Sequence, residues 1–190
     1  GAGPGLIPAI NVYSTISFRH NYSPNFNRKM IFGKEKLSSN KYGLMLSAAV
    51  FDIDSSKSLK GIPTQAWIEL SPSNVAYSRC KAYNNLSVFY NSCNAHCAIE
   101  VYDKGDLIVT DTLNSDGLPH VFNWRFSTTP EKLKIIFKST SSPIINAVSI
   151  EGDVGVQMSN IAMRGSSGTS FGVVDYRSMS FMHEELNTKL

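Results

Sequence analysis

From residue 44 onward the chain is a succession of short stretches in which apolar and polar side chains take turns. In "KLKIIFKS" (132–139) Leu133, Ile135 and Phe137 fall on one side, and Lys132, Lys134 and Lys138 on the other. In "AWIEL" (66–70) Ala66, Ile68 and Leu70 oppose Trp67 and Glu69. Side chains of an extended chain point alternately to opposite faces, so this period of two marks half-buried β-strands. The same reading covers "LMLSAAVFDI" (44–53), "AYSRCKAY" (76–83), "SVFYN" (87–91) and "PHVFNWRFS" (119–127), where Phe122, Trp124 and Phe126 share a core-facing side. It also covers "INAVSIEG" (145–152). "AIEVY" and "LIVTDTL" flank "DKGD" (103–106), a hairpin signal, because Gly105 can take the positive φ that a tight turn demands.

Strands this short, each with a single apolar side, must hide that side against another layer. Two packed antiparallel sheets are the expected outcome: a mainly β sandwich of jelly-roll or galactose-binding-like type. The 190 residues are enough for one large domain, and 42% hydrophobic against 17% charged residues is a globular balance. Residues 1–43 hold many turn formers and little periodicity, and read as irregular chain with a short strand or two, one within "INVYSTISF".

The pattern changes after residue 153. "VGVQMSNIAM" (154–163) is an apolar run of the kind a buried strand shows, and "GSSG" follows it. "DYRSMSFMHEELNTKL" (175–190) then reads as a helix capped by Asp175, with Met179, Met182, Leu186 and Leu190 near one face and His183 at the surface. The expected division is therefore 1–43 as a lead-in, 44–153 as the sandwich, and 154–190 as a strand–loop–helix piece.

Several chemistries are excluded or weak. A net charge of +3 gives no footprint for nucleic acid, although Arg19, Arg28, Lys29, Lys34, Lys36 and Lys41 cluster against Glu35 alone. No apolar run approaches the length of a membrane span. Cys93, His96 and Cys97 lack the further cluster that zinc needs, and Asp52, Asp54, Asp103 and Asp106 lack EF-hand spacing. No metal site and no cofactor are expected. Cys80, Cys93 and Cys97 leave three possibilities: a Cys93–Cys97 bridge, a Cys80–Cys93 bridge, or buried free thiols. The GSSG turn is neither a phosphate loop, since no lysine follows, nor a nucleophile elbow. Its small residues leave backbone N–H groups open between a strand end and a helix. That suits an oxyanion donor, and equally a tight connection with no chemistry.

Candidate binding residues come from aromatic side chains on polar faces. Trp67 shares its face with Glu69, and Tyr102 with Glu100. The apolar C–H face of a sugar stacks on such rings while its hydroxyls meet polar neighbours. The aromatics Tyr83, Phe89 and Tyr90 are expected to contribute from loops. Carbohydrate is the expected partner.

Two segments also carry a family resemblance. "GAGPGLIPA" (1–9) and "NAVSIEGDVGVQMSNIAMRGSSG" (146–168) resemble bacterial SGNH/GDSL-type esterases, of the Bacteroides-type envelope proteins that acquire a carbohydrate-binding-module-like sandwich inside the hydrolase. The resemblance implies that Gly165 is an oxyanion-hole donor, with Arg164 where relatives often carry asparagine. It further implies that the nucleophile and the Asp and His lie in the rest of a parent hydrolase. That parent would cleave O-acetyl esters in the periplasm or cell envelope, so the resemblance implies peptidoglycan or an acetylated polysaccharide as the carbohydrate partner. The alternative is a free-standing glycan- or protein-binding sandwich.

Overall fold

The computed structural model describes residues 3–11, 18–32, 34–156 and 168–188. Eleven strands form two antiparallel sheets among these residues. In chain order they are β1 (Gly5–Pro8), β2 (Phe18–Tyr22), β3 (Phe26–Met30), β4 (Ser47–Phe51), β5 (Thr64–Pro72), β6 (Asn85–Asn91), β7 (Cys97–Asp103), β8 (Asp106–Thr112), β9 (His120–Arg125), β10 (Leu133–Ser139) and β11 (Ile144–Glu151). Three α-helices, α1 (Ser55–Ser58), α2 (Ser78–Lys81) and α3 (Tyr176–Glu185), and one 3-10 helix (Thr169–Val173) accompany them.

One sheet runs β3-β4-β11-β6-β9, with β1 added beside β11; the other runs β2-β5-β10-β7-β8. From β4 to β11 nearly every connection passes from one sheet to the other, as jelly-roll connectivity requires. Within that stretch only β7 and β8 follow each other in one sheet. Their turn places Lys104 at φ 50° and Gly105 at φ 102°, the paired positive values of a tight hairpin that suits the strand twist.

The alternating pattern fills the space between the sheets. Ala49, Val88, Tyr90, Val148 and Ile150 come from one side, and Ile68, Leu70, Ile99, Val101, Leu133, Ile135 and Phe137 from the other. Each fully buried Leu, Ile or Phe contributes about 1.5–3 kcal/mol, so this layer dominates the stability.

Residues expected to be largely irregular supply three strands. β1 pairs with β11, β2 with β5, and β3 with β4. β2 (FRHNY) and β3 (FNRKM) are the edges of their sheets. Edge strands tolerate charge on both faces, which hides their periodicity.

Two other strand expectations need correction. Residues 76–83 do not form a strand: Ser78–Lys81 make one helical turn within an exposed connection. At the start of the 154–163 run, Val154 and Val156 are exposed and outside any strand. The remainder of that run, with Gly165 and Ser166, lies outside the described residues.

α3 begins where the sequence places it but ends at Glu185 rather than running on to 190, because Asn187 takes a left-handed φ of 47° and closes the last turn. The Asp175 carboxylate accepts from the Ser178 backbone N–H at 2.8 Å and caps the first turn. The helix lies on the outer side of the six-stranded sheet. Met182 packs with Leu6, Leu44, Phe89 and Ala147, and Met179 bridges to the neighbouring cluster of Ile31, Tyr42, Leu46 and Ala48. The Met182 sulfur also accepts the Leu44 N–H at 3.4 Å. Gly43 makes this approach possible, since a Cβ there would sit 2.4 Å from that sulfur. A buried polar line seals the contact: the Asn91 amide donates to Asn146 Oδ1 (2.9 Å) and Ser178 Oγ (3.3 Å), and the Asn146 amide donates to the Lys41 carbonyl (2.7 Å).

Candidate functional site

The outer side of the five-stranded sheet has no such cover among the described residues. Its side chains follow from the register. Trp67 on β5 stands opposite Ile136 on β10, which stands opposite Glu100 on β7. Two residues along, Asn21, Glu69, Lys134 and Tyr102 form the adjacent row across four strands. Gln65, Lys138 and Ala98 form the row on the other flank. Antiparallel partners point to the same side, so Trp67 and Tyr102 share one face. They lie two strands and two residues apart, about 12 Å by strand spacing.

Ile136 explains how the face is built. It points away from the core, yet it is only 8% exposed and belongs to no core cluster. Its register neighbours are the longer side chains of Trp67 and Glu100. The result is a floor with an apolar centre, two aromatic flanks and a charged surround.

Each charged group on this floor is held. Lys138 Nζ lies 2.6 Å from Glu100 Oε1, and the Tyr102 hydroxyl donates to Glu100 Oε2 at 2.8 Å. Lys138 first, and Tyr102 with it, keep the Glu100 carboxyl below the usual carboxylate range; the same bond to Glu100 raises the Tyr102 phenol. Lys132 pairs with Glu69 at 3.1 Å. Lys134 Nζ sits 4.6 Å from the centre of the Trp67 ring, within cation–π range. The carboxylates and the Tyr102 hydroxyl can serve a ligand hydroxyl as acceptors, and the lysines as donors.

The other two expected binding tyrosines are elsewhere, and their assignment is corrected here. Tyr83 is 2% exposed, with its hydroxyl donating to the Pro130 carbonyl at 2.9 Å. Tyr90 is 3% exposed in the core, and its hydroxyl accepts the Asn114 N–H at 2.8 Å. Burial pushes both phenols up, Tyr90 to about 12. Neither ring can meet a ligand. Their placement was readable: Tyr90 has the same parity as Leu86 and Val88. Phe89 is also buried, on the opposite side of its strand, under α3. Trp124 packs against the central core, as its parity with Phe122 indicates.

Sequence reasoning missed Lys134 as a partner of Trp67, and Ile136 and Asn21 as members of the face. Only the cross-strand register joins residues 21, 67, 102 and 136.

The remaining chemistry is sparse. Cys80, Cys93 and Cys97 are all free thiols, the last two buried. Burial drives the Cys97 thiol up to about 12 and also raises Cys93, so both stay protonated. His120 makes close contacts to the Asp116 carboxylate (2.8 and 2.9 Å) and to the Asn114 amide (3.2 Å). Both ring nitrogens are thereby engaged, and no nucleophile is in contact among the described residues. No group of three or more metal-type side chains converges among those residues. Nor is any described helix long and apolar enough to cross a membrane.

No family model and no curated protein matches the sequence. Among solved structures, a family 6 carbohydrate-binding module from Clostridium stercorarium, in complex with cellobiose, is similar at 14% identity and TM-score 0.44, covering 78% of this chain and 93% of that one. A family 61 module in complex with β-1,4-galactotriose is similar at 12% identity and TM-score 0.39, covering 70% and 86%. A family 32 module from C. perfringens, in complex with galactose, matches at 12% identity and TM-score 0.37, covering 70% and 99%. All three are distant, and the properties of the face described above follow from its own side chains.

Proposed function

We propose that this sandwich is a glycan-binding module whose binding face is the outer side of the five-stranded sheet. The observation that carries the reading is the placement of Trp67 and Tyr102 on one uncovered face, about 12 Å apart by strand spacing, with hydrogen-bonding groups between them. A chain of sugar rings presents apolar C–H faces and a hydroxyl rim, and this floor offers aromatic flanks and a polar surround to match. The reading needs no catalytic group. The test is retention on polysaccharide-containing native gels, backed by titration calorimetry with the polymer that retards the protein most. Trp67→Ala and Tyr102→Ala should each lose retention while keeping the wild-type urea midpoint within experimental scatter. Retention unchanged in both variants overturns the assignment of the face.

A second reading keeps the same face but sets it inside an SGNH-type ester hydrolase of the cell envelope, with Gly165 as an oxyanion donor and the chain divided at 43 and 153. Its support is the resemblance of residues 1–9 and 146–168. The free-standing module is the reading adopted here, because β1 and α3 both pack into the sandwich itself, through Leu6 and Met182. Hydrolysis of p-nitrophenyl acetate by this chain, abolished by Ser166→Ala or Ser167→Ala, would count against both.

A further inference from the structure

The charges on the binding face do not balance. Glu69 and Glu100 are its two carboxylates, each with a lysine against it. The side chains of both acids are largely covered, at 16% and 14% exposure, whereas those of their lysines are 53% and 35% exposed. The acids are thus sheltered and the ammonium groups stand outermost. Arg19, opposite Ser71 on the same side of the sheet, is exposed. Lys134 has no carboxylate partner among the described residues; its ammonium rests on the Trp67 ring instead.

From this charge excess and the Lys134–Trp67 contact we infer that the face selects anionic glycans, whose sugars carry carboxylate or sulfate. The inference rests on the glycan-binding reading above and specifies its ligand. Lys134 lies over the Trp67 ring, the surface on which a sugar would stack. A neutral sugar must displace that ammonium and gives it nothing in return. An acidic sugar brings an apolar face to the indole and an anion to the displaced Lys134, so both groups keep a partner. Lys134 is therefore a specificity residue: it obstructs neutral rings and receives charged ones.

The experiment uses the whole chain and matched polymer pairs: polygalacturonate against its methyl ester, and dextran sulfate against dextran. The first pair differs in carboxylate charge and the second in sulfate, so together they identify the anion. The wild type should bind at least one anionic member at least tenfold more tightly than its neutral counterpart, and added salt should weaken that binding. Lys134→Gln should weaken anionic binding by about tenfold, the value of a charge-assisted hydrogen bond. The same change should strengthen neutral binding by about two- to fivefold, since the cation–π contact no longer competes. Trp67→Ala should abolish both. Opposite signs for the two ligand types in Lys134→Gln are the signature, and a misfolded variant does not produce them. Equal affinity for charged and neutral members, with Trp67→Ala still inactive, overturns the charge selectivity and leaves the glycan reading standing. Salt-sensitive binding that survives Trp67→Ala is plain ion exchange and overturns the selectivity at this site. Trp67→Ala and Tyr102→Ala both without effect on any polymer overturn the glycan reading of this face itself.

Discussion

The two outer faces of this sandwich obey one rule of alternation and reach opposite ends. On the six-stranded sheet the outward positions include Leu6, Ala48, Phe89 and Ala147, and α3 with Ile31, Leu37, Tyr42, Leu44 and Leu46 lies over them. On the five-stranded sheet they are Trp67, Glu69, Glu100, Tyr102, Lys134 and Lys138, and no described element lies over them. An apolar face costs free energy in water until something covers it, so the first face recruits the C-terminal helix. A face of charges and amphipathic rings can stay solvated and remain open to a ligand. One side thereby serves stability, and on the proposed reading the opposite side serves recognition, with the core between them.

The largest expected effect tests that division directly. Phe89→Ala on the covered side should cost about 3–5 kcal/mol in urea unfolding, by loss of transfer energy and the cavity left behind. The folded remainder should keep its polysaccharide retention. If retention falls in proportion to the bulk properties of the variant at temperatures where it is still folded, the two faces are coupled and the division fails.

A second test sharpens the contrast from the edge of the five-stranded sheet. His20 on β2 has the parity of Phe18 and faces inward, and burial lowers its pKa from 6.5 to about 4, with the nearby backbone of Ala9 offsetting part of the effect. The unfolded chain takes up this proton below about pH 6.5, while the folded chain resists until about pH 4. Stability should be level above pH 6.5 and fall as the pH drops through that window, by an amount on the order of 3 kcal/mol in full. His20→Gln should flatten this slope in urea titrations at successive pH values. An unchanged slope would assign the acid sensitivity to other groups.

The smallest effect belongs to a charge pair outside both faces. Lys104 and Glu131 approach to 2.6 Å, but both side chains are more than half exposed, at 56% and 71%. Lys104→Ala should leave the urea midpoint within experimental scatter and glycan retention unchanged.

What could be read from the sequence followed the physics of alternation. Central strands such as β5, β7 and β10 bury one side completely, and their period of two is plain. The cap at Asp175 and the Met179/Met182 stripe announced α3 for the same reason. β2 and β3 were faint because edge strands carry polar residues on both sides. The segment 76–83 misled because Ala76, Ser78 and Cys80 imitate alternation over a stretch with no sheet to join. Trp67 and Tyr102 were recognisable singly, as rings beside acids. Their meeting on one floor was not, because register is a long-range property: residues 21, 67, 102 and 134 become neighbours only when four strands align.

The edge of β11 that faces away from β6 is divided between two partners. β4 meets it at Ile145, and β1 covers Ala147 to Ile150. That second half depends on four residues near the start of the chain, Gly5 to Pro8. A protease that nicks the chain just after Pro8, or an expression boundary drawn there, would bare a run of unpaired amides and carbonyls in the middle of the sheet. Such a gap is a docking template for any extended peptide, including β1 of another copy. Samples trimmed in this way should self-associate through the bared edge and precipitate, so the opening residues belong in any preparation intended to stay monodisperse.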